Sequence, residues 1–255
     1  MITSENRTGG FRADSFDELA MLEENNFWFR NRNRLIIWAI REYFPEAKTF
    51  LEIGCGTGFV LRGVQKSFPT LRLTGSELFE EGLKHAQARL PDIPLIKLDA
   101  RDLPFENQFD LVGAFDVLEH IQEDELVLEQ MRKSISLSGG GILITVPQHP
   151  WLWSAADEEG HVRRYTRREL VHKVERAGFV VKRVTSFVSF LLPLMIISRA
   201  LNSKKQAEFD PLGELRIGGV LNTSLEQVLR LESMTLKAGV SYPLGGSLLL
   251  IAQTR

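Results

Sequence analysis

Two groups of residues in this chain of 255 could do chemistry. The first is Glu52-Ile53-Gly54-Cys55-Gly56-Thr57-Gly58, a carboxylate followed by glycines at alternate positions. Glycine takes positive φ readily and lets a ligand approach the backbone with no Cβ in the way. The run passes from strand-like residues at 49–53 to helix-like residues at 60–68, so the free N–H groups of a helix start face whatever sits on the turn. The second group is His120, His149, His161 and Tyr165. A histidine with its ordinary pKa near about 6.5 can take a proton at neutral pH and so act as a general base. The glycine spacing is Gly-x-Gly-x-Gly, whereas a dinucleotide fingerprint is Gly-x-Gly-x-x-Gly, which disfavours a nicotinamide oxidoreductase. The histidines and carboxylates lack a short ligand spacing, so no metal set is expected.

The elements that must hold these residues follow from local pattern. Ser15 and Glu18 read as a capping box opening a short helix, and a second helix begins near Phe29. Strands are expected at 49–53, 71–77, 93–98, near 109–115, at 142–146, 179–185 and 247–252. Between them Leu83, Ala86 and Leu90, and then Val127, Leu128, Met131 and Ile135, recur at helical spacing, with Asp124 as the cap of the later helix. Thr166 and Glu169 form another capping box. The alternation of strands and helices implies an α/β chain with a doubly wound parallel sheet. Residues 186–246 form a long insert with an apolar run at 187–197, a polar break at 202–205 and a helix at 225–231. Loops this long in a compact domain tend to be functional.

Composition narrows the function classes. The chain is 44% hydrophobic and 25% charged, an ordinary globular balance. Its formal net charge of −2 gives no overall pull towards nucleic acid, and no nucleic-acid partner is expected. One cysteine, Cys55, excludes an intrachain disulfide and a cysteine-rich metal site. Residues 1–10 lack the layout of a signal peptide, so a cytoplasmic location is expected. The run 187–197 is interrupted by Pro193 and is far short of the roughly 20 residues of a spanning helix, but peripheral membrane contact through it remains an option.

The sequence Glu52-Ile53-Gly54-Cys55-Gly56-Thr57-Gly58 resembles the first motif of class I S-adenosyl-L-methionine (SAM) dependent methyltransferases. The resemblance extends through Glu77, Asp99-Ala100 and Phe115-Asp116 to the closing run at 244–252, and so covers nearly the whole chain. It implies a Rossmann-like doubly wound seven-stranded sheet, mostly parallel with the last strand antiparallel, carrying a helical cap insert. It also implies SAM as cofactor, S-adenosyl-L-homocysteine (SAH) as product and an EC 2.1.1 activity. On this pattern Glu77 takes both ribose hydroxyls, Leu78 supplies an apolar face, and Asp99 with the Ala100 N–H meets the adenine edge. The Phe115 carbonyl faces the SAM amino group, Asp116 stands beside the site, and Val117 or Leu118 lines it. Residues 1–45 form a helical arm, 46–187 the SAM-binding core, 188–246 the cap and 247–255 the closing strand.

The arm carries Phe27-Trp28-Phe29 running into Arg30, Arg32 and Arg34, with Trp28 and Arg32 one helical turn apart. Either the aromatics pin the arm while the arginines are solvated, or Arg32, or Arg30, pairs with the methionyl carboxylate of SAM. The block from Trp151 to Arg168 resembles a methyltransferase subgroup acting in glycan, lipid or natural-product pathways. Its four arginines, 163, 164, 167 and 168, are either neutralised by Asp157, Glu158 and Glu159 or bind an anionic acceptor. The expected function is methyl transfer to a small-molecule acceptor, with His161 and Tyr165, or His120, taking its proton. The alternative is a non-catalytic SAM-binding or membrane-surface docking module. The insert is read as a cap over the acceptor, or else as a packing layer or dimer surface.

Overall fold

A computed structural model of the chain describes residues 15–136, 139–158, 160–202 and 216–254. Two helices come first, α1 (Ser15–Leu22) and α2 (Phe27–Tyr43). Then follow β1 (Thr49–Ile53), α3 (Phe59–Ser67), β2 (Arg72–Glu77), α4 (Glu80–Arg89), β3 (Leu95–Lys97) and β4 (Leu111–Phe115). The second half runs α5 (Asp124–Ser134), β5 (Gly141–Pro147), α6 (Ala155–Glu158), α7 (Arg167–Arg176), β6 (Phe179–Phe187), α8 (Leu192–Asn202), α9 (Gly219–Lys237) and β7 (Ser247–Thr254). The strands make one seven-stranded sheet in the order β3-β2-β1-β4-β5-β7-β6. β1 pairs in parallel with β2 and β4, and β7 lies antiparallel between β5 and β6. The expected fold class is the one observed.

β4 and β5 are buried along their whole length, as a parallel sheet covered on both faces requires. The pleat sends alternate residues to opposite faces. Phe50, Leu143 and Leu249 pack with Ile36, Val64 and Leu229 on the side of α2, α3 and α9. Leu51, Ile144 and Leu250 pack with Leu128, Met131 and Val174 on the side of α5 and α7. Each such side chain, fully buried, contributes roughly 1.5–3 kcal/mol.

The carboxyl ends of β1, β2, β4 and β5 open on one edge, where the order reverses between β1 and β4, and ligands of open α/β sheets bind at such a reversal. α2 starts at Phe27, capped by the Asn26 side chain accepting from Trp28 N at 2.8 Å. The Thr166 hydroxyl caps α7 by accepting from Glu169 N at 3.2 Å. The expected Asp124 cap is corrected: Asp124 is the first residue of α5, Glu123 takes the cap position, and the Asp124 carboxylate turns inward to side-chain partners.

Within 188–246, the helix expected at 225–231 spans Gly219–Lys237. It lies on α2: Asn222 accepts from Phe27 N at 2.9 Å, and Ser233 donates to Asn31 at 2.8 Å. Burial opposes charge on Glu226, yet Arg34 and Arg30 hold its carboxyl below the ordinary range. α9 thus lies against α2 of the arm. The break at 203–205 and Glu159 fall outside the described residues. Among the described residues no helix is long and apolar enough to cross a membrane.

Candidate active site

β1 delivers Glu52 and Ile53 to a turn in which Gly54, Gly56 and Gly58 have φ of 64°, 53° and 77°. A Cβ on Gly54 would stand 2.5 Å from Val117 Cγ2, so that glycine is required by packing as well as by φ. A Cβ on Gly56 would meet nothing nearer than Phe16 Cε1 at 3.8 Å, so its outer side is open to a ligand. Cys55 N donates to Ser76 O at 2.9 Å, while its thiol packs into the core and is pushed well up by burial. It fills space.

Glu77, at the end of β2, reaches back to this turn. Its Oε2 accepts from Gly56 N at 2.9 Å and its Oε1 from Leu78 N at 2.8 Å and Phe79 N at 3.0 Å. Burial raises its pKa and these three N–H groups oppose the rise. Glu52 is more deeply placed. Burial pushes its carboxyl well above the ordinary range, Arg32 opposes this, and Glu23 and Glu77 add to it. Its Oε2 is buried with no protein partner. Asp99 is paired with Arg101, whose Nε donates at 2.9 Å and Nη2 at 2.6 Å, and this holds its carboxyl low.

Arg32 joins the arm to the sheet. Its Nη1 donates to Asp116 Oδ2, which also accepts from Thr145 Oγ1 at 3.1 Å. The guanidinium carbon lies 4.6 Å from the Trp28 ring centre and 5.4 Å from that of Phe29, within cation–π range. Arg32 is 8% exposed, and its Nε is buried without a partner. Of the two readings of the arm, Arg32 is held inside the molecule rather than solvated. Asp116 adopts φ 57°, a left-handed conformation that aspartate tolerates better than most residues. Val117 lines the Gly54 side of the turn.

Just beyond β4, a short turn at Leu118–His120 carries Glu119 and His120. Glu119 is fully buried, and neither carboxylate oxygen has a partner. Burial and then the nearby Asp116 push its carboxyl well above the ordinary range. His120 Nδ1 lies 2.8 Å from Gly160 O, and its ring centre 4.7 Å from that of His161. Burial, with His161 second, lowers the His120 pKa to about 4. His161 Nδ1 lies 2.7 Å from Asp157 Oδ1. One ligand atom from each of Glu119, His120 and His161 lies within 4.8 Å of the others. Sequence spacing hid this group because His161 lies far along the chain. The adjacent Glu119-His120 pair, and Asp157 four residues before His161, were its only local signs.

Tyr165 is a correction. Its ring is fully buried, and its hydroxyl donates to Asp124 Oδ2 at 2.6 Å, with Lys173 on the same oxygen at 2.6 Å. It stands in the core beneath the site rather than beside an acceptor. The arginines are mostly satisfied internally: Arg164 by Asp157, Arg163 by Asp124, and Arg167 by the Tyr242 carbonyl. His149, at φ 64°, packs against Trp151 at 4.9 Å between ring centres, and its Nε2 is buried without a partner.

Residues 22–184 match the family described as Methyltransferase domain, which is well over half of the chain. A dTDP-3-amino-3,4,6-trideoxy-alpha-D-glucopyranose N,N-dimethyltransferase of Streptomyces venezuelae is 30% identical over 151 residues, 58% of this chain and 59% of that protein. A dTDP-3-amino-3,6-dideoxy-alpha-D-glucopyranose N,N-dimethyltransferase of Streptomyces fradiae is 30% identical over 148 residues, 57% of this chain and 53% of that protein. The matched stretch thus spans a little over half the length of these curated relatives. Among solved structures, phosphoethanolamine N-methyltransferase 2 of Haemonchus contortus, in complex with phosphomonomethylethanolamine and SAH, superposes with a TM-score of 0.62 at 18% identity. That likeness, one of fold, covers 95% of this chain and 57% of the other.

Proposed function

Because the chain belongs to the class I SAM-dependent methyltransferase family, we propose that it moves the methyl group of SAM to a small-molecule acceptor. The observation that carries this reading is a pair of buried, unpartnered groups of opposite kind beside the glycine turn: the acceptor Glu52 Oε2 and the donor Arg32 Nε. An α-amino acid brings the complements of both, an ammonium and a carboxylate. The cluster of Glu52, Glu77 and Glu23, whose carboxyls burial has pushed up, also favours a ligand with positive charge.

Glu77 would exchange its backbone partners for the ribose hydroxyls. Asp99, Ala100 and Leu78 would border the adenine, while Trp28, Phe115, Asp116 and Val117 would close the amino-acid end. Gly54, Cys55, Gly56 and Gly58 would form the floor. Residues 46–187 with 247–255 would serve as the core, and of the arm (1–45) and the insert (188–246) the helices α1, α2, α8 and α9 would cover it. Bound there, SAM supplies a methyl carbon on a sulfonium, whose C–S bond breaks as the acceptor's lone pair attacks in line. The chain's task is then mainly to align the acceptor, since orientation alone can remove several kcal/mol of barrier. The acceptor's proton is taken by His161, whose ring Asp157 orients; burial lowers the His120 pKa to about 4, so that ring is a weak base at neutral pH.

For the acceptor class we propose an anionic glycan, lipid or natural-product intermediate. The aminosugar-nucleotide relatives favour an acceptor carrying a diphosphate and an amine. Leu194 and Ile197, half exposed on α8, favour a peripheral membrane contact near it, which flotation with anionic liposomes checks. The test of the function is transfer of isotopically labelled methyl from SAM across aminosugar nucleotides and phospholipid headgroups. Labelled product in any pool supports the reading, and SAM binding with no labelled product from any of them counts against this acceptor class.

A further inference from the structure

We propose that Glu119, His120 and His161 bind a divalent first-row transition ion of the Zn2+ class. The placement of that ion on the acceptor side rests on the methyl-transfer reading above; its binding does not. Three observations converge. First, the ligand atoms of the three side chains already lie within 4.8 Å of one another. Tetrahedral bonds of about 2.1 Å set ligand atoms roughly 3.4 Å apart, so closing on an ion draws them in by about an ångström.

Second, Glu119 is completely buried with both carboxylate oxygens unpartnered. A carboxylate buried without a hydrogen-bond partner costs free energy even with Arg32 and Arg164 near it, and a bound dication would ligate it directly.

Third, hydrogen bonding orients both imidazoles. A carbonyl only accepts, so the 2.8 Å contact with Gly160 O puts the His120 proton on Nδ1. The Asp157 carboxylate does the same for His161 at 2.7 Å. Each neutral ring then carries its lone pair on Nε2. A second oxygen partner on the far nitrogen is the common support of a metal-bound histidine. Asp157 is itself held by Ser154 and Arg164, so the support is rigid.

Two nitrogens and one carboxylate suit Zn2+ and its neighbours better than Mg2+ or Ca2+, which prefer oxygen alone. Three protein ligands also leave a coordination position open. In the loaded state His161 Nε2 is a ligand and no longer a base. An acceptor hydroxyl in the open position would lose its proton more readily: its O–H bond breaks, the proton passes to solvent, and the oxygen stays on the ion.

The test uses the full chain, stripped with chelator and then titrated with Zn2+ by calorimetry, with bound metal counted by mass spectrometry after dialysis. One equivalent is expected, with Mg2+ failing to compete. Glu119→Gln and His161→Gln should each weaken Zn2+ binding by at least about 10-fold. Glu119→Gln should also raise the melting temperature of the metal-free protein, because it removes a buried carboxylate that lacks a hydrogen-bond partner while keeping the shape. Absence of stoichiometric Zn2+, equal affinity for Mg2+, or undiminished Zn2+ binding in Glu119→Gln would each overturn the assignment. SAM titration of the stripped protein is scored separately: SAM binding without Zn2+ binding removes only the metal site, and Zn2+ binding without SAM binding removes only the methyltransferase reading.

Discussion

Arg32 of the N-terminal arm and Asp116 at the end of the central strand β4 form an ion pair across 84 positions of sequence. The pair fixes the arm against the sheet edge that also carries the glycine turn. Only one face of the guanidinium is spent on it, since Nε remains unpartnered. Arg32→Met should therefore weaken both stability and SAM affinity. Removing one member of a buried pair costs about 3–5 kcal/mol, which chemical denaturation reads directly. A variant of normal stability and normal SAM affinity would separate Arg32 from the site.

Gly56 and Gly54 should behave differently. At Gly56 a Cβ meets no protein atom within 3.4 Å, so Gly56→Ala pays only the left-handed backbone cost of roughly 1–2 kcal/mol. Its methyl would nevertheless enter the ligand's space and abolish SAM binding. Gly54→Ala drives a methyl into Val117 at 2.5 Å and should lose stability as well. Paired melting and binding curves distinguish the two.

The raised pKa of Glu52 gives SAM binding a pH dependence. A cation settling beside Glu52 lowers that pKa again, so binding expels a proton. Affinity should rise with pH up to the raised pKa, and calorimetry in buffers of different ionisation enthalpy should register proton release. In Glu52→Gln the release should vanish; if it persists undiminished, another group is titrating.

Tyr165 and Asp124 are predicted to act through stability. Tyr165→Phe removes the bond to Asp124 and should cost about 1–3 kcal/mol while leaving SAM affinity unchanged. For Asp124 burial raises the pKa, but Lys173, Tyr165 and Arg163 together bring it below its ordinary value. A carboxyl lowered on folding stabilises above its unfolded pKa, near about 3.9, and that stability is lost as pH falls through the folded value. Asp124→Asn should thus be least stable relative to the parent at neutral pH, with the gap closing in acid. A gap independent of pH would contradict the assignment.

The strands and the glycine turn were legible because buried parallel strands and alternating glycines leave a local pattern, as in Leu111–Phe115 and Gly54–Gly58. The carboxylates Glu77 and Asp99 could be located because Glu77 closes β2 and Asp99 lies two residues past β3. Tyr165 was misplaced for a physical reason: a capping box says where a helix begins, not which way the residue before it points. Glu119, His120 and His161 come together only in space, because the loop after β5 folds back so that Val162 N reaches Glu119 O at 2.7 Å. Asp124 was read as a cap from its position, yet three side chains distant in sequence claim its carboxylate.

The central claim is that the glycine turn, Glu77, Glu52 and Arg32 form a SAM pocket. Calorimetric titration of the purified chain with SAM, SAH and NAD tests it most directly. The account predicts saturable one-to-one binding of SAM and SAH, none of NAD, and loss of both in Gly56→Ala at retained fold. Failure to bind SAM and SAH, or binding of NAD in their place, would contradict it.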